Sequence, residues 1–308
     1  MSASKKVTLV AGTLFLFSAV SSVLLLRELD QVRKGATLRE FLYISSPKLL
    51  KHLSLGYEGL LADVYWTRAV QYYGGLHHTG GGNYELLWPL LNITTQLDSH
   101  INPAYEYGAT FLSAKPPLGA GTPEKAIQLM EYGIRQNSND WHLYYDLAYI
   151  YNDLKDYRHS ADAFERGSHV PNAHPFLKVL AANMAQHGGE LQTAQMLWSS
   201  VYETTRDQYI RENALWHLRA LRVGQDVTEL EKLAAIYRQR TGHFPESFFD
   251  MQRAGLIRGI PLDPVGNEYQ MDSDGHIFIA DPDHFPFVEK GLPPGYVPSS
   301  IPKIPHTE

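Results

Sequence analysis

The feature that most constrains this chain is a spacing. Ala126, Met130 and Gly133 are followed 34 residues later by Ser160, Phe164 and Gly167, and 34 residues later again by Ala194, Trp198 and Val201. Each triplet runs small, large, small at helical spacing. Two closely packed helices need that pattern, because a bulky side chain on one requires a small neighbour on the other. The helices preceding the triplets agree. They carry Ala104, Tyr107, Gly108 and Phe111 in the first unit, Tyr144, Leu147, Ala148 and Tyr151 in the second, and Ala181, Ala182 and Ala185 in the third. In the second unit Leu154-Lys155-Asp156 reads as the turn, and Pro171 closes the pair. Amphipathicity alone would not hold one period over three units, so the spacing predicts a helix–turn–helix repeat array over residues 101–205.

This pattern resembles the tetratricopeptide repeat, whose units have the same period. The resemblance implies an all-α fold, a right-handed superhelical solenoid in which the first helix of each unit lines a concave groove. Carried over position by position, the lining is Asn102, Tyr105, Ala109 and Leu112 in the first unit, His142, Tyr145, Tyr149 and Asn152 in the second, and Phe176, Val179, Asn183 and Gln186 in the third. Aromatic and amide groups with few charges suit an extended peptide, because aromatics supply buried area and amides pair with backbone. The lining lacks the lysine and arginine clamp with which some such repeats hold a C-terminal carboxylate. Tyr145 and Tyr149, four apart, share one face and are its most central aromatics. Tyr144, Leu147 and Tyr151 are expected to point toward neighbouring helices.

The run between Val7 and Leu26, VTLVAGTLFLFSAVSSVLLL, is uncharged and bounded by Lys5-Lys6 and Arg27. It has the length that crosses a bilayer as a helix. The competing reading is a cleaved signal peptide, with Ser18-Ala19-Val20-Ser21 as the small-residue site. The apolar run continues beyond that point through Val23 to Leu26, which favours an uncleaved single-pass anchor. A short tail ahead of the run suits a signal-anchor, with the body on the periplasmic side of a bacterial inner membrane.

Taken in order, the chain divides into an anchor (1–34), a degenerate leading helical pair (35–100), the repeats (101–205), a capping helical pair (206–242) and a C-terminal appendage (243–308). Ser46-Pro47 marks a helix start. Leu61, Tyr65, Ala69 and Tyr72 form one helical face, and Leu86, Leu90 and Ile93 stand where a preceding triplet would fall. Residues 74–83 are expected to form a Gly-rich loop. The turn of the first repeat, within SAKPPLGAGTP, carries extra residues that cannot be helical and is expected to project from the solenoid's edge. Residues 208–224 and 227–241 read as the capping pair.

After Thr241 the pattern changes. A short helix is expected around Ser247–Ala254, followed by strands at 268–271 and 276–280 joined by Asp272-Ser273-Asp274-Gly275. The order Pro245, Ser247, Gly255, Pro261, Asp263-Pro264, Gly266 and Tyr269 is similar to the C-terminal part of the major pseudopilin of type II secretion systems. The pseudopilin processing motif has no counterpart at this N-terminus. The resemblance implies a link to a secretion or pilus-type assembly. Asp272 to Gly275 reads either as a type I′-like turn or as the start of a calcium loop, which His276 and Asp283 do not complete in EF-hand order. Residues 281–308, rich in proline, read as an irregular tail.

Composition narrows the function. A net charge of −6 argues against a general nucleic-acid binder, and the absence of cysteine excludes disulfides and thiolate chemistry. No cofactor or metal is expected. His77-His78 read as solvated loop residues, Asp98 and His100 as capping groups at a helix end. Gly80-Gly81-Gly82 lacks the following lysine of a phosphate loop. The sequence therefore predicts a non-enzymatic, membrane-anchored scaffold that binds protein or peptide partners at the cell envelope. The alternative is an envelope enzyme or metal-dependent binding protein that uses the Gly/His segment 74–83 with Asp98 and His100.

Overall fold

The computed structural model describes residues 18, 21, 22, 46–80 and 82–297. Ser18, Ser21 and Ser22 are helical, and the rest of the expected anchor lies outside the described residues. Among the described residues no helix is long and apolar enough to cross a membrane. The described residues are mostly α-helical, and the chain forms two compact units, Met1–Asn137 and Ser138–Glu308. The division falls after the first 34-residue repeat, so the stretch 101–205 contributes one helix pair to the first unit and two to the second.

The first unit holds α1 (Pro47–Leu53), α2 (Glu58–His78), α3 (Leu87–Leu97), α4 (Asn102–Ser113) and α5 (Pro123–Gln136). Starts follow local chemistry. Ser46 Oγ accepts from the Leu49 amide, and prolines occupy the first turns of α1, α4 and α5, where a missing N–H costs nothing. Consecutive helices pack in sequence, α2 on α3, α3 on α4 and α4 on α5. Leu90 and Ile93 of the leading triplet are buried, with Leu86 half-buried at the start of α3.

Two expectations for this unit are corrected. Residues 74–78 are not a loop, because α2 runs on through Gly74 and Gly75 to His78. Tyr72 and Tyr73 hold this stretch in place, their hydroxyls donating to the Asn83 and Leu118 carbonyls at 2.7 and 2.8 Å, and His77 stacks on Tyr73. The inserted turn after α4 does not project. It folds back as Ala120, Gly121 and Thr122 donate to the carbonyls of Phe111, Ala114 and Leu112, satisfying the open end of α4.

The second unit holds α6 (Trp141–Asp153), α7 (Tyr157–Ser168), α8 (Phe176–His187), α9 (Leu191–Thr204), α10 (Gln208–Thr241), α11 (Phe248–Arg253), β1 (Gln270–Met271) and β2 (Ile277–Phe278). Asp140, Asp156 and Asp207 cap α6, α7 and α10 by accepting backbone amides. Each helix from α7 to α10 packs on its predecessor. The triplets Ser160, Phe164, Gly167 and Ala194, Trp198, Val201 are buried, as is Ala126, Met130, Gly133 in the first unit.

The 34-residue helix α10 corrects the expected capping pair. Gly224-Gln225-Asp226 contains no proline and stays helical. An Arg222–Asp226 ion pair spans it at 3.0 Å, and Val223, Val227, Leu230 and Ala234 continue one buried stripe across it. That stripe carries the C-terminal appendage: Phe248, Met251, Tyr269, Ile277, Ile279, Phe285 and Val288 share its core. The hairpin turn is not type I′. The Asp272 carbonyl accepts from Gly275 at φ +79°, and the Asp272 amide donates to the His276 carbonyl, the arrangement of a three-residue loop with a glycine bulge. Asp272 Oδ1 accepts the Asp274 and His276 amides, so this carboxylate serves the turn.

Apart from a 3-10 turn at Pro282–His284 the tail is irregular, and it is tied down as far as Tyr296, whose hydroxyl donates to the Asp283 carboxylate at 2.8 Å. Gly291, at φ +89°, lies so close to α10 that a Cβ would stand 2.6 Å from Val227, and its carbonyl accepts from the Ile279 amide. Lys290 pairs with Glu231 of α10 at 2.9 Å.

Close approach explains the glycines of the triplets. A Cβ on Gly167 would stand 2.8 Å from Tyr144 Cβ and 2.9 Å from Leu177 Cδ2, and Tyr144 Cβ cannot swing aside. Gly167→Leu is expected to cost roughly 1–3 kcal/mol through overpacking, despite removing a helix glycine. Thermal melting checks this, and an unchanged or raised melting temperature would contradict the packing.

Candidate functional site

A cleft of about 720 Å³ lies in the second unit, between α8, the first three turns of α10 and the chain at 286–289. One wall is the third repeat's expected lining: Phe176, Val179, Asn183 and Gln186. The facing helix adds Tyr209, Ile210, Asn213 and His217. Ile210, Asn213 and His217 stand 34 residues after Phe176, Val179 and Asn183, so the start of α10 takes the place of a fourth unit's first helix. The sequence reading missed them because the triplet fades after Val201. Carrying the lining positions forward one more period finds all three.

At the base of the cleft, aromatic and polar groups lock together. The His217 ring lies between Trp198 and Phe287, at 4.0 and 3.9 Å centroid distance and within 7° of parallel to each. Gln186 Oε1 accepts from Trp198 Nε1 at 3.1 Å and meets His217 Nδ1 at 2.9 Å. Indole N–H only donates, so the glutamine presents its oxygen, and Nδ1 of the histidine carries the proton. His217 is held to about 4, first by burial and then by the nearby His187, and it is neutral at ordinary pH.

The mouth is different. Phe176 and Tyr209 are exposed, and among the described residues Asn183 and Asn213 make no side-chain hydrogen bond. The third side is a stretch of this chain, residues 286–289, held by Phe285 and Val288 in the core below.

Of the expected lining, Phe176, Asn183 and Gln186 meet in this cleft. His142, Tyr145, Tyr149 and Asn152 do not, lying instead on α6 as a separate aromatic shelf. Tyr145 and Tyr149 are 4.7 Å apart, each edge-on to Phe164, and Trp141 meets Tyr145 edge-on. The hydrogen bond to Tyr149 pushes the Tyr145 hydroxyl up to about 12. Asn102 and Tyr105 belong to the first unit. Tyr105 is fully buried and no groove residue: Gly133 leaves room for its ring, and its hydroxyl donates to the Ser99 carbonyl, with burial raising its pKa. Ala109 and Leu112 are buried with it. Conversely Tyr107, expected inward, is exposed, and Tyr151 is only half-buried against the His159 ring.

The segment proposed for an alternative chemistry is tied up structurally. His77 stacks on Tyr73, and His100 Nδ1 meets Asn137 Oδ1 at 2.6 Å while the Asn137 amide donates to the Ser99 carbonyl. Among the described residues no group of three or more His, Asp or Glu side chains is arranged to hold a metal ion. Comparison with models of protein families and with curated proteins finds no match for this chain.

Proposed function

We propose that this chain is a membrane-anchored, non-enzymatic scaffold of the tetratricopeptide type, whose cleft at α8 and α10 binds an extended segment of a partner protein at the bacterial envelope. The reading places a right-handed stack of helix pairs behind the anchor at 7–26, with the body on the periplasmic side. The pseudopilin-like appendage connects it to a secretion or pilus-type assembly.

One observation carries the binding reading. The cleft already has a stretch of polypeptide along one side, turned at Pro286-Phe287 where the Val288 amide donates to the Phe285 carbonyl, with Phe287 stacked on His217. Across from it Phe176 and Tyr209 are exposed, and among the described residues Asn183 and Asn213 make no side-chain hydrogen bond. Exposed aromatics beside side-chain amides offer an extended chain both buried area and backbone hydrogen bonds. The same chemistry favours an occupant like the resident stretch, Phe285-Pro286-Phe287-Val288: aromatic, proline-containing and uncharged at its centre.

Panning a displayed random-peptide library against the solubilised full chain tests this. Peptides with an aromatic residue beside proline should be enriched. Replacing Phe176 and Tyr209 together by Ala should weaken them by about 2 kcal/mol or more, the scale of an interface hot spot, with little effect on folding because both are exposed. A library that enriches nothing, or peptides that bind the double variant as well as the wild type, would move the working surface to the Tyr145–Tyr149 shelf or elsewhere.

A further inference from the structure

We propose that the start of the first unit, from Leu49 to Val64, rests on the bilayer surface and that lipid covers its apolar face. On α1, Leu49 and Leu53 are one turn apart and both about half exposed. The turn that follows presents Leu55 at 85 % and Tyr57 at 69 % exposure, and the first turns of α2 present Leu60 at 64 % and Val64 at 41 %. These side chains are not a loosened core. The same two helices send Leu50, Ala62 and Tyr65 inward, and those are buried. Further along α2 the outward positions are Thr67, Val70 and Gln71, so the apolar exposure is densest at the end of the unit nearest the N-terminus.

Leu55 adds an independent sign. It sits at φ +52°, a conformation that favours glycine or asparagine, and its side chain is almost wholly in water. A leucine held there gains nothing from the protein, whereas immersion in lipid would give it an apolar environment.

The composition of the face matches an interfacial element. Lys48, Lys51 and His52 flank the two leucines of α1, with Glu58 and Asp63 following on α2, and Tyr57 is the type of side chain that sits at headgroup depth. The choice of lipid over another protein comes from the chain outside the described residues. The uncharged run ends at Leu26, 23 positions before Leu49. A tether of that length reaches at most about 80 Å, so an anchored chain cannot carry this face far from the membrane. Tethering also raises the effective concentration at the surface, which makes even weak immersion persistent. This inference rests on the anchoring of residues 7–26.

The chain has no cysteine, so Leu53→Cys, Leu55→Cys and Leu60→Cys each take a single nitroxide, with Met196→Cys in the second unit, 67 % exposed, as the reference. The full chain is placed in nanodiscs of phosphatidylethanolamine and phosphatidylglycerol. Relaxation of each label by oxygen and by a water-soluble nickel chelate is then measured. The expected result is an oxygen-to-nickel ratio several-fold higher at 53, 55 and 60 than at 196. Ratios equal to that at 196 overturn the proposal, as does protection from both reagents, which would mean that protein covers the face. A full chain that does not associate with the discs removes the anchor, and this inference with it.

Discussion

Replacing Trp198 by alanine is expected to destabilise the second unit by about 3–5 kcal/mol, the range for removing a large aromatic from a packed core. Trp198 is the central residue of the third triplet and has no exposed surface. Its loss opens a cavity between α8, α9 and α10, removes the ring beneath His217, and takes from Gln186 one of its two partners. Trp198→Phe separates these contributions. It keeps the stack and loses the N–H donor, so it should cost substantially less, with about 1 kcal/mol from the hydrogen bond. Urea unfolding followed by circular dichroism checks both. A Trp198→Ala variant within 1 kcal/mol of wild type, on the scale of an ordinary surface substitution, would contradict the packing of the third repeat.

Acidification provides the second large effect. His217 is held near 4 in the folded chain, against an ordinary value of 6.5. Between those values the unfolded chain binds the proton and the folded chain does not. Stability from this group is therefore complete above about pH 6.5, falls as the pH drops toward 4, and changes no further below that. A shift of roughly 2.5 units corresponds to about 3 kcal/mol. Other groups titrate in the same interval, so the informative quantity is a difference. His217→Phe retains a flat ring between Trp198 and Phe287 and has no proton to gain. Its stability should fall less than that of wild type between pH 6.5 and 4, by about that amount. Parallel stability curves for the two proteins would mean that His217 is not buried as a neutral group.

The triplets were legible because their cause is local and repetitive. A glycine at 133 or 167 makes sense in a helix only where another element comes too close for a side chain, and in both places it does. The same glycine misdirected the reading of Tyr105, because register says which way a position faces but not how deeply a ring sinks when its neighbour is small. The cleft was half legible. Phe176, Asn183 and Gln186 follow from register, whereas Phe287 comes from a tail with no periodicity and is held by contacts distant in sequence. The continuity of α10 was hidden for a related reason. Gly224 looks like a break until the appendage is seen packing along Val223, Val227 and Leu230. The end of the inserted turn at 113–123 was misread because its backbone hydrogen bonds return to α4, and hydrogen bonding of that kind leaves no compositional trace.

Hydrogen exchange of the full chain, with and without a library-selected aromatic–proline peptide, reads the working surface directly. The account predicts new protection along Phe176–His187 and at the start of α10, around residues 208–217, and none along Trp141–Asp153. Protection confined to the Tyr145–Tyr149 shelf, or spread over the first unit with the cleft unchanged, would contradict it.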